Sequence, residues 1–194
     1  SFSGQSSSSE ALAFAQKIQD QIIADDKPDL AGWIVDLRGN GGGNMWPMLA
    51  GVGSVLGEGT SGYFIDPNGR ESPWGYSNGR SVASGSTVTQ LPSSYELISP
   101  NPKVAVLLNN GITSSGEAIA ISFVGRENTR SFGSATCGLS TANSSYTLSD
   151  NTILVLTTAY MADRDKNTFG IPIKPDVEVA NIEAMDAAVF WLTE

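Results

Sequence analysis

KVAVLLNNGITSSGEAIAIS, residues 103–122, carries the reading of this chain. It begins as an unbroken apolar run of strand length, the pattern of a strand buried on both faces. It passes through Asn-Asn-Gly and continues as an Ala- and Ile-rich segment of helical character. The expected elements are a strand at 103–108 and a helix from about 114 to 124. A strand that turns directly into a helix is the repeating unit of α/β folds. Ser114 and Ser115 stand side by side at the junction. Two readings compete there. An exposed hydroxyl near the positive end of a helix suits a nucleophile, and a serine that caps the first turn is the structural alternative. TSSGE is not the G-x-S-x-G elbow.

A second unit of the same kind lies upstream. AGWIVDL (31–37) reads as a buried strand, and it ends in RGNGGGN. Asn44 is a candidate cap for a helix with Pro47 in its first turn and Met45, Met48, Leu49, Val52 and Leu56 as apolar positions. Glycines 39, 41, 42 and 43 let backbone N–H groups approach a ligand. Asn44-Met45 after the last glycine excludes a phosphate loop, which needs Lys then Ser or Thr, and the dinucleotide fingerprint is not matched either. GVGSVLG (51–57) has no strand before it. What remains is either an oxyanion hole, N–H groups aimed at charge developing on a carbonyl oxygen, or a turn that merely needs glycine.

The rest of the chain fits around these units. Helical spacing at Leu12, Phe14, Ile18 and Ile22 predicts a helix over 10–23, with Ser7 to Ser9 as caps. Residues 60–100 are broken by PNGR, SNGR, ASGS and LPSS, and Asn-Gly at 68–69 and 78–79 signals hairpins. This region reads as an exposed β-excursion between the α/β units, its strands within 60–90. Its aromatics Tyr63, Phe64, Trp74 and Tyr76 either pack a small satellite core or contact a ligand. A short strand at 129–133, a hairpin at 146–160 turning at Asp150-Asn151, an extended tail GIPIKPDVEV and a closing helix at 182–192 complete the reading. The fold class is α/β (α+β), in a single domain over 1–194.

Composition removes several functions. The 194 residues carry 20 acidic and 11 basic side chains, a net charge of -9. Such a surface repels nucleic acid and anionic membranes. Histidine is absent, Cys137 is alone, and no tight acidic cluster is visible, so neither a metal site nor any other cofactor is expected. A lone cysteine reads as a small buried hydrophobe. Abundant Ser, Thr, Asn and Gly with few lysines lean toward an extracytoplasmic (secreted or cell-envelope) protein. The start at SFSG, without Met, reads as that of a piece of something longer.

Five motifs in order, DLRGNGGGN, TSSGEAIA, GRENTRSFGSATCG, YTLSDNTILVLTTAYMADRD and GIPIKPDVEV, resemble the S41 family of serine peptidases, the tail-specific proteases and their tricorn-like relatives. The resemblance spans about residues 30–180. It implies a crotonase/Clp-protease-like α/β sandwich and hydrolysis of peptide or protein substrates through a serine acyl-enzyme. The family's nucleophile lies three residues before a Glu, which makes Ser114 the nucleophile and Glu117 that Glu. Ser115 then lends its backbone N–H, and Gly42 or Gly43 supplies the other oxyanion donor. One branch uses a Lys base in GxxTxGK; here the matching stretch is Gly133 to Leu139, and Leu139 stands at the Lys position. Lys103, Lys166 and Lys174 lie at other motif positions. The His-using branch takes its base from a segment upstream of the DLR strand, so a histidine from an N-terminal segment or a second chain would complete the site. Asn143, Asp150 and Asp163 are candidates to line it, and Asp36 and Arg38 are expected to tie the loop. No PDZ module is present to read a C-terminus. The alternatives are an inactive peptide- or glycan-binding module of the same fold and an acyl-CoA enzyme of the crotonase fold. The latter leaves TSSGE and the IKPDVEV tail unaccounted for.

Overall fold

The computed structural model describes residues 1–4 and 6–194. In chain order its elements are α1 (Ser8–Asp25), β1 (Trp33–Asp36), α2 (Met45–Leu56), β2 (Gly59–Ile65), β3 (Glu71–Ser77), β4 (Arg80–Ala83), β5 (Ser86–Gln90), β6 (Val104–Leu108), α3 (Ser115–Phe123), β7 (Thr129–Gly133), β8 (Thr141–Thr147), β9 (Ile153–Ala162), β10 (Val177–Glu178) and α4 (Ala184–Thr193).

Two sheets form. The first is parallel, in the order β1-β6-β7-β10. Its central strand β6 is buried along its whole length, as its unbroken apolar run requires. Helix α4 covers one face through Ala184, Ala188 and Leu192. Helix α3 lies on the opposite side, packed both on β6 and on β2 and β9 of the second sheet. Helix α2 sits beside α3 and is buried on nearly every side. Asn44 caps it by accepting from Trp46 N–H at 3.0 Å. The cap of α1 is Ser7, in a reciprocal box with Glu10, which starts the helix two residues earlier than its apolar periodicity indicates.

The second sheet is antiparallel, in the order β5-β4-β3-β2-β9-β8. Here the expectation of an exposed excursion is corrected. The strands at 59–90 and the late hairpin are one sheet, because β9 runs past its own hairpin and pairs with β2 (Tyr63 with Ala162, Phe64 with Met161, Ile65 with Tyr160). The excursion therefore forms a wall of the main core. Trp74 is 1% exposed, its ring lies 4.4 Å from that of Phe64, and its Nε1–H donates to Ser122 Oγ of α3 at 3.1 Å. Tyr76 is buried too. Trp74 belongs to the principal core and Phe64 packs against it, while Tyr76 is buried against Gly53 of α2.

Two smaller corrections follow. The hairpin turns where its Asp-Asn pair indicates, with Asn151 in the left-handed region (φ 66°) and Asp150 accepting from Thr152 N–H. Its first strand starts at Thr141, five residues before the expected 146, because TANSS carries no apolar alternation to mark it. Cys137 is exposed, not buried. Its loop lies at the surface, held by the backbone bond from Cys137 N–H to Ile112 O.

Since Trp74 seals the second sheet onto α3, Trp74→Ala should destabilise the domain by roughly 3–5 kcal/mol, the cost of emptying a large aromatic site. Urea unfolding measures it; a loss under about 1 kcal/mol would return the 59–90 strands to the periphery.

Candidate active site

Strands β1 and β6 are parallel neighbours (Trp33 with Val104 through Asp36 with Leu107). Their following loops, the glycine loop after β1 and the serine loop after β6, therefore emerge side by side at the carboxyl end of the sheet, where open α/β sheets place ligand sites. Four hydrogen bonds stitch the loops together. Gly39 N–H donates to Asn109 Oδ1 (3.0 Å), Thr113 N–H to Asn40 O (3.1 Å), Thr113 Oγ to Gly41 O (2.8 Å) and Ser115 Oγ to Gly43 O (2.6 Å). Gly116 sits so close to Asn40 that a Cβ there would collide with its carbonyl oxygen.

Ser114 stands at the start of α3 with φ 52° and ψ -122°. That region is costly for a residue with a Cβ, by about 1–3 kcal/mol, and is found where the surroundings impose it. Its hydroxyl makes no cap. The cap reading therefore fails for Ser114, and its Oγ is held out from a tight strand-to-helix turn. This is the geometry of a nucleophile elbow without the elbow's sequence motif.

The glycine loop lies against this serine. A Cβ on Gly42 would be 2.8 Å from Thr113 O, 3.0 Å from Ser115 N and 3.1 Å from Ser114 Cβ, and its φ of 89° is strained for any other residue. The choice between Gly42 and Gly43 as donor narrows here. Gly42 N–H donates to Asn40 Oδ1 at 3.2 Å. The N–H groups of Gly43 and Ser115 donate to nothing among the described residues. Gly43 is itself fixed by Phe2, whose backbone bridges the loop: Phe2 N–H to Gly42 O (3.3 Å) and Asn44 N–H to Phe2 O (2.8 Å). A side chain at Gly43 would run into the Phe2 carbonyl.

Ser114, Ser115 and Gly43 open onto a cleft of about 440 Å³, walled by Trp46, Phe64, Met161 and the start of β8, including Asn143. Larger hollows of about 560 and 630 Å³ lie elsewhere, but neither holds these groups. None of the residues lining the Ser114 cleft is ionisable.

The other expected site residues divide. Asn143 is at the cleft, its Oδ1 accepting from Thr157 Oγ at 3.0 Å. Glu117 is fully buried one turn beyond Ser114. Its Oε1 accepts from the Thr136 hydroxyl and from Gly138 N–H (2.8 Å), and its Oε2 has no partner. Glu117 thus ties the first turn of α3 to the 134–140 loop. Asp163 lies apart from the cleft: its carboxylate is occupied by the N–H groups of Asp165 and Asn167 and by the Asn167 amide. Asp150 holds the distal hairpin turn. Asp36 and Arg38 are paired at 2.7 Å, and Arg38 also donates to Asn181 O. The guanidinium hydrogen bond holds the Asp36 carboxyl below its usual range. Leu139 is 56% exposed. Lys166 pairs with Glu71 and Lys103 donates to Trp191 O. Missed from the sequence were Asn40, Asn109 and Thr113. The available signal was asparagine in two glycine-bearing turns, where its side chain substitutes for a backbone partner.

A model of peptidase family S41 matches residues 2–179. The chain belongs to peptidase family S41. A relative of similar sequence is the nisin-resistance protein of Lactococcus lactis subsp. lactis, 34% identical over 167 residues. That alignment takes in 86% of this chain and 51% of the relative, so the chain spans about half the relative's length. Among solved structures, a lipoprotein from Streptococcus agalactiae superposes with a TM-score of 0.77 at 28% identity, over 100% of this S41 chain and 63% of that one. The photosystem II D1 C-terminal processing protease superposes with a TM-score of 0.62 at 21% identity, over 90% and 40%, which is a likeness of fold. The expected peptidase-type α/β fold is therefore confirmed.

Glu117→Ala should cost about 2–3 kcal/mol, because it leaves the Thr136 hydroxyl and Gly138 N–H buried without their acceptor. Urea unfolding reads this directly. A change below about 0.5 kcal/mol would show that Glu117 is not the tie between α3 and the 134–140 loop.

Proposed function

We propose that this S41 domain is a serine endopeptidase with Ser114 as nucleophile. The observation that carries the reading is the backbone of Ser114: a non-glycine residue held at φ 52°, uncapped, beside two backbone N–H groups with no partner among the described residues. Ser114 Oγ attacks the carbonyl carbon of the scissile bond and gives its proton to a base. The N–H groups of Gly43 and Ser115 stabilise the oxyanion. Collapse expels the amine, which takes the proton, and leaves an acyl-Ser114 ester. Water, deprotonated by the same base, hydrolyses that ester. Gly42 keeps the space beside Ser114 open.

The base comes from outside these residues. The sequence has no histidine, Leu139 stands where a lysine would serve, and the residues lining the cleft include no proton acceptor of suitable pKa. A histidine from an N-terminal segment or another chain fits this need. The same observation favours a second reading, a domain that binds peptides in this cleft without cutting them. The cleft's uncharged walls suit uncharged or apolar side chains around the scissile bond. One relative is named for resistance to nisin, and nisin is the first substrate to offer. The Ser- and Asn-rich, Lys-poor composition and the similarity to a lipoprotein from Streptococcus agalactiae support a place outside the cytoplasm.

Ser114→Ala should abolish cleavage of an offered peptide and leave the melting temperature nearly unchanged, since losing Oγ alone eases little of the backbone strain. Retained turnover would refute the nucleophile. Gly42→Ala should lower turnover by on the order of a hundredfold or more, the scale of a lost oxyanion donor, because the added methyl meets Ser114 and Ser115; unchanged kinetics would contradict the role given to the glycine loop. These 194 residues alone should cleave very slowly, and vigorous hydrolysis by them would place the base inside the domain.

A further inference from the structure

Among the described residues strand β8 ends the antiparallel sheet, paired with β9 on one side only. Natural edge strands are protected by charged side chains, proline, shortness or a covering element. The β8 sequence TANSSYT has seven residues, no charge and no proline. Between residues 141 and 160 the only charged residue is Asp150, at the hairpin tip, in a chain of net charge -9. The hairpin also extends past the sheet, since β2 pairs with β9 only at 160–162. It exposes Tyr146, Ile153, Leu154 and Leu156.

The alternation of the ladder fixes which backbone groups are free. Leu148 N–H donates to Thr152 O at 2.8 Å, so that pair is hydrogen-bonded. In an antiparallel ribbon bonded and non-bonded pairs alternate. Tyr146/Leu154 and Ser144/Leu156 are then bonded pairs, while Thr147/Ile153, Ser145/Val155 and Asn143/Thr157 are not. The hydroxyl-to-amide contact between Thr157 and Asn143 at 3.0 Å fits the closer approach of a non-bonded pair. The N–H and C=O groups of Asn143, Ser145 and Thr147 therefore point away from β9 to the open edge. Asn143, the first of them, lines the Ser114 cleft, as do Thr141 and Ala142. The other edge strand, β5, contributes nothing to that cleft.

We propose that β8 is the substrate-docking strand: an extended, uncharged or apolar polypeptide segment adds to its free edge as a further strand and enters the Ser114 cleft at Asn143. The proposal rests on the peptidase reading and names its substrate class, an unfolded or extended chain and not a folded surface loop. Backbone pairing supplies affinity without regard to side chains. Selection comes from the uncharged cleft and the apolar hairpin. Self-pairing of two β8 edges competes for the same groups.

The test is amide hydrogen exchange by NMR on the Ser114→Ala protein, which cannot turn over its ligand, with and without oxidised insulin B chain as the extended probe. The expected result is alternation. Free, the Asn143, Ser145 and Thr147 amides exchange fast, while Ser144 and Tyr146 are already protected. With the probe, the three fast amides slow by at least about tenfold. Ser145→Pro, which removes an outward N–H and spares the β9 ladder, should weaken probe binding by at least about tenfold in fluorescence anisotropy. No binding, protection without alternation, protection at Ile153 and Val155 of β9 instead, or protection by dimerisation before the probe is added each overturns the proposal. Alternating protection in a protein whose unmodified form never cleaves the probe would keep the docking strand and remove the peptidase reading. Cleavage without alternation would do the reverse.

Discussion

The site depends on hydrogen bonds from the serine loop to the carbonyls of the glycine loop. Thr113 donates to Asn40 and Gly41, and Ser115 donates to Gly43. These bonds turn the glycine loop's carbonyls toward the serine loop and hold the two chains at a fixed distance. Two consequences follow from that one constraint. The turn into α3 becomes tight enough to hold Ser114 at positive φ, with its hydroxyl uncapped. The N–H groups of Gly43 and Ser115 are left without partners among the described residues, beside the proposed nucleophile. A strained residue persists only where its surroundings over-determine it, and here the surroundings are these stitches, the bridge from Phe2, and the tie from Glu117 to the 134–140 loop. The parallel pairing of β1 with β6 brings the loops together in the first place, and it joins a buried apolar run to a half-buried one at the sheet edge.

This explains what could be read from the sequence. Both strand-loop-helix units were legible, because AGWIVDL and KVAVLL are apolar runs with glycine or serine at their exits, although only the second is buried: β1 is an edge strand and half-buried. Asn44 was legible as a cap, and Ser114 and Ser115 as the junction. The choice between capping and nucleophilic roles was not, because it turns on one backbone dihedral set by residues about 70 positions away. Gly42 and Gly43 could not be separated for the same reason: Asn40 takes the Gly42 N–H, and only the folded loop shows it. The placement of the 59–90 strands was misread because their partner, β9, lies about a hundred residues downstream, and Asn-Gly turns report hairpins but not which sheet a hairpin joins. Cys137 was misplaced because burial statistics for cysteine say nothing about a surface loop.

Asp163 and Asn143 show the limits of motif position as a guide. Both fall in late segments of the family pattern. Asn143 reaches the cleft because β8 begins beside it. Asp163 is held by the turn that follows β9, where its Oδ1 accepts from the N–H groups of Asp165 and Asn167 and its Oδ2 from the Asn167 amide. The described lining of the cleft carries no charge, and the proposed preference for uncharged peptide and the proposed base from elsewhere both follow from that. A serine hydroxyl at a cleft is still a weak nucleophile until something accepts its proton.

The most direct test of the account is fluorophosphonate labelling of the native protein as purified from its source, with mapping of the adduct. The reagent reads an activated serine and a working oxyanion hole together. The account predicts one adduct, on Ser114, lost in Gly42→Ala. A folded protein that stays unlabelled, or an adduct on another serine, would contradict it.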